Sequence, residues 1–371
     1  MTIGTRGDLE LFLTLGRELS LRGHQVNFGT SRFYSERVLE SKLDWQQIGY
    51  GTQEELLSML RSLSTIKNTT ERTRQYYKRW LQPQIDSATS QVNSAAAEAD
   101  YFISNLKLAL HRGSQRIPGA FVDYDPPADL SMLAKYGAES EEHRRTTLDL
   151  VAMNRQLIDP EARWGEQYQF TGFWVDREPR HWVPTSQLQK FMEDGTPPVV
   201  LTMGSMVMFD PVRLARTMMD ALENSKERGV IVGGWSGIPE ETGLSESVYT
   251  VNDVSYDWLF PRARCVIHHG GTGTTAAVLR AGIPSILLPQ IMCQERYGRT
   301  LLRENLAAAV LDSHNLQTED LARAIQRAAT DARCIESARH WKNVITAEDG
   351  VKNAADFIER HWRKLQEKAA L

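Results

Sequence analysis

Cysteine is scarce in this chain, with three among 371 residues: Cys265, Cys293 and Cys334. They are odd in number, far apart and in no metal-ligand spacing, so neither a disulfide framework nor a bound metal is expected, and a reducing, cytoplasmic setting fits. An excess of one charge is also missing. Lys and Arg total 43 against 47 Asp and Glu, a net charge of −4, which gives no basic field for nucleic acid or an anionic membrane. No run approaches ~18 consecutive apolar residues and no basic-then-apolar leader opens the chain, so neither a transmembrane segment nor a secretory signal is expected. Internal repeats and low-complexity tracts are absent as well. The length suits two domains of ordinary size, each able to bury its own core.

What is present is glycine, placed in turns. His268-His269-Gly270-Gly271-Thr272-Gly273-Thr274-Thr275 follows the short apolar run Arg264-Cys265-Val266-Ile267 and precedes Ala276 to Arg280, which Gly282 and Pro284 end. The pattern is strand, glycine turn, helix. Glycines let the backbone approach a ligand closely, and the free N–H groups and dipole of the following helix favour an anion such as phosphate. A tight turn with two structurally satisfied histidines is the competing reading, and the absence of any bulky apolar side chain among the eight residues weighs against it. The spacing matches neither the P-loop nor Gly-x-Gly-x-x-Gly.

The start of the chain repeats the theme. Met1-Thr2-Ile3 leads into Gly4-Thr5-Arg6-Gly7-Asp8, then into a leucine-rich helix closing at Arg22-Gly23-His24 and a strand over Gln25–Thr30. With about three residues, the first strand is shorter than the usual ~5, so either it is short or the natural chain begins earlier. Residues 52–98 read as helices, with Tyr76, Tyr77 and Trp80 as an aromatic set that could line an acceptor surface or simply fill a core. Tyr101–Ser104 and Ala120–Val122 read as strands, the second followed by Asp125-Pro126-Pro127. Residues 128–165 read as charged and helical or irregular. A connector with Thr171-Gly172-Phe173-Trp174 runs to Pro184. Beyond it, strands are expected at 197–203, 229–234, 248–251 and 285–289, a helix near 210–224, a short helix at 256–261, a loop at Gln290–Gln294 and a last helix at about 351–368. Strands alternating with helices in both halves argue for two doubly wound parallel sheets.

Ligands of such sheets sit beyond the strands' carboxyl ends, where four polar stretches fall: Gly4–Asp8, Gly204-Ser205, His268–Thr275 and Cys293-Gln294. At Gly4–Asp8, Thr171–Trp174, Gly204-Ser205-Met206, Asp257-Trp258-Leu259-Phe260-Pro261-Arg262 and His268–Thr275 the chain resembles family 1 nucleotide-sugar-dependent glycosyltransferases, most closely the sterol and antibiotic glucosyltransferase branch. The resemblance covers most of the chain. It implies the α/β GT-B architecture, with two Rossmann-like domains facing a cleft: an acceptor domain at 1–170, a donor domain at 185–350 and a helix at 351–371 crossing back. It further implies an inverting hexosyltransferase without metal or cofactor, with a uridine or thymidine diphosphate sugar as co-substrate and a lipophilic hydroxylated natural product, sterol or polyketide, as acceptor. By the same resemblance, Asp8 would be the general base and Ser205, His269, Gly271, Gly273 and Thr274 would hold the diphosphate. Cys293 and Gln294 would meet the sugar, and Tyr76, Tyr77 and Trp80 are the acceptor candidates. His268 reads as structural, and Asp8 could equally cap its helix. Cys293 departs from the family's usual Asp-Gln; a thiol accepts hydrogen bonds weakly, so an altered or deoxygenated sugar is expected, with Glu295 as a stand-in carboxylate. A non-catalytic helper protein and a sugar-nucleotide epimerase are the rival readings.

Overall fold

The computed structural model describes residues 1–105, 118–123, 147–157, 168–176, 182–238 and 246–370. The Asp125-Pro126-Pro127 turn expected from the sequence lies outside them. The described chain forms two compact units that are not collinear with the sequence: Met1–Met59, Arg74–Val175 and Glu348–Leu371 make the first, and Leu60–Thr73 with Asp176–Ala347 the second. Both are α/β with parallel sheets, the GT-B pattern.

In the first unit β1 (Asn27–Thr30) pairs with β2 (Asp44–Gln47), and β3 (Phe102–Ser104), β4 (Gly119–Asp123), β5 (Thr147–Val151) and β6 (Tyr168–Phe170) form a second sheet in that order. Met1–Ile3 is too short to count as a strand, yet it links the two sheets. The Thr2 amide donates to the Gly29 carbonyl at 3.0 Å, and the Met1 amino group donates to the Ile103 carbonyl at 2.6 Å. Ile3 is buried with Ile48, Ile85, Phe102 and Phe121, so the brevity of this segment is compensated by packing on both sides.

One reading is corrected here. Thr147–Val151, placed among charged helical or irregular residues, is an inner strand of the four-stranded sheet, with Leu150 and Val151 fully buried. Its apolar signal is interrupted by Asp149 and preceded by the charged run Glu141-Glu142-His143-Arg144-Arg145, which masks it.

The helix Arg6–Leu21 buries Leu9, Phe12, Leu13, Leu15 and Leu19 along one face, and Gly23 at φ +92° lies just beyond its end. The last helix, Gly350–Ala369, packs beside it in the same unit: Arg22 bridges to Asp356 at 2.6 Å and Glu359 at 3.1 Å. Trp362 meets the Tyr101 ring edge-on at 5.9 Å.

The second unit is built on a six-stranded parallel sheet. Its strands are β7 (Val199–Thr202), β8 (Gly229–Val232), β9 (Val248–Val251), β10 (Cys265–His268), β11 (Ser285–Leu287) and β12 (Ala307–Val310), in the order β12-β11-β10-β7-β8-β9. Both faces are covered, which is why Val199–Leu201 and Val266–Ile267 are fully buried and read as continuous apolar runs. The strand register aligns the chain exits: His268 pairs with Thr202 on one side and Leu287 on the other. The three strands therefore leave the sheet level with one another, and the turns after β7, β10 and β11 emerge side by side.

The Gln290–Gln294 loop is the second correction. The helix Met292–Arg303 starts inside it, so Cys293 and Gln294 lie in a helical first turn. This helix buries Gln294, Gly298 and Thr300 alongside Tyr297 and Leu301, and polar residues on the inner face obscure the apolar period. β12 and the helices Thr318–Thr330 and Ala332–Ala347 carry no motif and are supplied by the structure.

Candidate functional site

In the first unit the helix Arg6–Leu21 begins on a glycine turn, and the Asp8 carboxylate folds back over it. Its Oδ2 accepts from the Thr5 amide at 2.6 Å and from the Thr5 hydroxyl at 3.1 Å. A Cβ on Gly4 would run into that same oxygen, so the missing side chain at Gly4 is what lets the carboxylate lie there. Asp8 thus closes its own helix end, as one of its two readings requires, and is held in one orientation by doing so.

The three aromatic candidates part company. Trp80 is only 7% exposed, in keeping with the core alternative of its reading: it packs inside the unit, where a Cβ on Gly51 would lie 3.1 Å from its ring. Tyr77 is half-buried and donates to Gln82 Oε1 at 2.8 Å. Tyr76 alone shares the surroundings of Asp8; burial first, then the Asp8 carboxylate and Tyr34, push its phenol well above the ordinary tyrosine range. Tyr34, which no sequence motif marked, is 8% exposed and its hydroxyl is buried without a hydrogen-bond partner among the described residues. Burial and the nearby Asp8 charge likewise raise its phenol.

In the second unit the donor candidates converge. Gly204 (φ +56°) and Gly271 flank the His269 ring: a Cβ on Gly204 would stand 2.7 Å from its Cε1, and one on Gly271 would strike its Nε2. The imidazole is 6% exposed, and its Nδ1 is buried with no partner among the described residues. Burial lowers it to a pKa of about 4, so the ring is neutral around pH 7. His268 differs. Its Nδ1 accepts from the Gly270 amide and its Nε2 stands 3.2 Å from Ser285 Oγ, so both nitrogens are partnered.

The helix Thr272–Ala281 has no side-chain cap at Gly271, and a Cβ on the exposed Gly273 would meet nothing within 4 Å. Asp210, Thr185 and Asp349 cap the helices they precede, whereas Gly271, like Gln317 before Thr318–Thr330, does not. An uncapped helix end beside a buried imidazole whose Nδ1 has no partner among the described residues is a site shaped for an anion. Thr274 is buried in the same turn, and Ser205 sits partly exposed in the turn after β7.

Gly270 (φ +88°) brings the next stretch close; a Cβ there would come within 3.3 Å of the Gln294 carbonyl. Gln294 is 4% exposed, and its side-chain oxygen accepts from the Gln290 amide at 2.7 Å and the Ile291 amide at 3.3 Å. Cys293 beside it is partly exposed. Glu295, the stand-in carboxylate, accepts from the Thr69 hydroxyl at 2.8 Å. Thr69, Arg72 and Thr73 escaped the sequence reading altogether, because nothing in Thr-Thr-Glu-Arg-Thr-Arg ties it to a segment more than 200 residues on. Among the described residues no cluster of His, Cys, Asp and Glu is placed to hold a metal ion, and no helix is long and apolar enough to cross a membrane.

Comparison with known proteins bears on both ends of the chain. Residues 1–111 match the Glycosyltransferase family 28 N-terminal domain, and residues 218–355 match the Erythromycin biosynthesis protein CIII-like C-terminal domain. The chain is 27% identical to the O-mycaminosyltylonolide 6-deoxyallosyltransferase of Streptomyces fradiae, over 99% of this chain and 97% of that protein. It is 25% identical to the sterol 3-beta-glucosyltransferase of Eremothecium gossypii over 96% of its own length, but spans only 33% of that longer protein. The solved calicheamicin glycosyltransferase CalG4 superposes with a TM-score of 0.72 at 16% identity, covering 97% of this chain and 96% of that one.

Proposed function

We propose that this chain, a glycosyltransferase of the family 1 type with the GT-B fold, moves a deoxygenated hexose from a nucleoside diphosphate onto a hydroxyl of a lipophilic natural product, with inversion at the anomeric carbon. The observation that carries the reading is the built anion site of the second unit: an uncapped helix end with His269 clamped between Gly204 and Gly271.

In this mechanism Asp8 takes the proton from the acceptor hydroxyl as its oxygen attacks the anomeric carbon. The bond from that carbon to the diphosphate breaks in the same step, and the electron pair leaves with the diphosphate. The amides of Thr272, Gly273 and Thr274 and the neutral His269, as a hydrogen-bond donor, receive the growing negative charge without a metal. Ser205 adds a hydroxyl to the same phosphates. Thr5 holds Oδ2 of Asp8, which fixes the orientation of the carboxylate.

The sugar preference is set by what the pocket can offer. With Cys293 in place of a carboxylate and the Gln294 oxygen already accepting two amides, the near residues offer hydrogen-bond donors, while Glu295 is engaged by Thr69. Such a pocket can donate to a sugar hydroxyl's oxygen but gives its proton little to bind, so a hydroxyl gains less there than it would opposite a carboxylate. The likeness to a 6-deoxyallosyltransferase points the same way. Transfer is tested by incubating the protein with thymidine and uridine diphosphate hexoses and 6-deoxyhexoses against macrolactone and sterol acceptors, with products read by mass spectrometry. A deoxyhexosyl product of inverted anomeric configuration is expected; retention at that carbon, or turnover with glucose donors alone, overturns the corresponding part.

A further inference from the structure

The stretch Leu60–Thr73 lies in the first 75 residues, yet it packs into the second unit, with three of its side chains on the turn that leads into Cys293 and Gln294. Arg72 is 4% exposed. One terminal nitrogen, Nη1, donates to the Gln290 carbonyl at 2.7 Å and to Gln290 Oε1 at 3.0 Å. Nε donates to the Ile66 carbonyl at 2.8 Å, and Nη2 to that same carbonyl and to His314 Nε2. All five guanidinium hydrogens are therefore used, which is what keeps a buried cation tolerable. One residue on, the Thr73 hydroxyl accepts from the Met292 amide at 3.1 Å, satisfying a first-turn N–H of the helix Met292–Arg303. Thr69 completes the set at Glu295.

Gln290 passes this restraint along. Its side-chain nitrogen is bound to the Leu288 carbonyl and Ser313 Oγ, while its backbone amide and that of Ile291 donate to Gln294 Oε1. The orientation of the Gln294 side chain is thereby set: its oxygen is turned inward, and its amide nitrogen is the end left to face a ligand. We propose that Thr69, Arg72 and Thr73 are positioning residues of the donor-sugar subsite. They hold the 290–295 turn so that Gln294 presents N–H and Glu295 is tethered through one of its oxygens. The inference rests on the donor reading given above and adds to it a specificity-determining segment from the other end of the sequence.

The test uses calorimetry on the full chain and its Thr73→Val, Thr73→Ser, Arg72→Lys and Thr69→Ala variants, titrating thymidine diphosphate, thymidine diphosphate glucose and a thymidine diphosphate 6-deoxyhexose. Hydrogen exchange of the 290–295 amides is followed in the ligand-free protein. Thr73→Val and Arg72→Lys are expected to bind the bare diphosphate within about twofold of the unaltered chain and the sugar nucleotide about fivefold more weakly, the scale of one hydrogen bond. Thr73→Ser should restore it, and exchange at Met292 should quicken in Thr73→Val. Thr69→Ala, by freeing Glu295, should narrow the preference for the deoxyhexose over glucose. A parallel loss of diphosphate and sugar-nucleotide affinity would reduce these residues to structural ones, and unchanged affinities with unchanged exchange would remove the proposal. Failure of the unaltered chain to bind any of the three ligands would instead overturn the donor reading, and the inference with it.

Discussion

The two glycine turns look alike in sequence and are finished in opposite ways. At Gly4–Asp8 the helix end is closed from within, because Asp8 reaches back to the Thr5 amide and hydroxyl and fills the space Gly4 leaves. At His269–Thr275 no side chain caps the helix, and the missing Cβ atoms of Gly204 and Gly271 are filled by an imidazole whose Nδ1 has no partner among the described residues. Where a carboxylate of the chain closes the helix end, no anion needs to bind; where the N-cap is a glycine with no side chain to cap it, the helix dipole favours one. One motif therefore yields a fixed carboxylate, and the other a helix end that favours an anion, which the proposed mechanism uses as base and diphosphate site.

That contrast can be broken most severely at Asp8. Asp8→Asn keeps an oxygen for the Thr5 amide and removes the base, so turnover should fall about 10²- to 10⁴-fold with nucleotide affinity unchanged. Steady-state kinetics beside calorimetry would show it, and a loss of nucleotide affinity would mean the two turns are not separate in function. Gly271→Ala should do the reverse. Its methyl group displaces the His269 ring, and thymidine diphosphate affinity should drop about 10- to 100-fold, the worth of one or two hydrogen bonds to a charged group.

Acid should separate the turns further. Burial lowers His269 to about 4 and His268 to about 3, below the 6.5 of an unfolded histidine. Between pH 6.5 and 4 the unfolded chain binds protons that the folded one refuses, so the stabilisation is complete above pH 6.5 and is lost as pH falls. The expected slope is about 1.4 kcal/mol per pH unit for each histidine, measurable by denaturant titration at stepped pH. His268→Gln should flatten it by one such increment; an unchanged slope would count against the burial argument. The smallest effect is expected at Cys293→Asp, which places a carboxylate acceptor in the proposed sugar pocket. A several-fold shift toward glucose donors would sharpen the division between diphosphate and sugar recognition, and identical donor profiles would remove Cys293 from the pocket.

Much of this was legible in the chain itself. Apolar runs between glycine turns specify parallel strands and the helices after them, because a strand buried on both faces must be continuously apolar and the backbone needs glycine where it turns tightly against a neighbour. His268–Thr275 and Gly4–Asp8 could be read for that local reason. Thr147–Val151 suits a strand through Leu148, Leu150 and Val151, but Asp149 within it and the charged run before it hide the pattern.

Only the tertiary structure decided the rest. That Leu60–Thr73 joins the second unit, that Arg72 meets Gln290 across 218 positions, that Trp80 is core while Tyr76 neighbours Asp8, and that Gln294 turns its oxygen inward all depend on partners distant in sequence. A local pattern records how a segment satisfies its own backbone. A buried arginine or an oriented amide is satisfied by whatever the fold brings to it, and no period or motif in the sequence encodes that meeting.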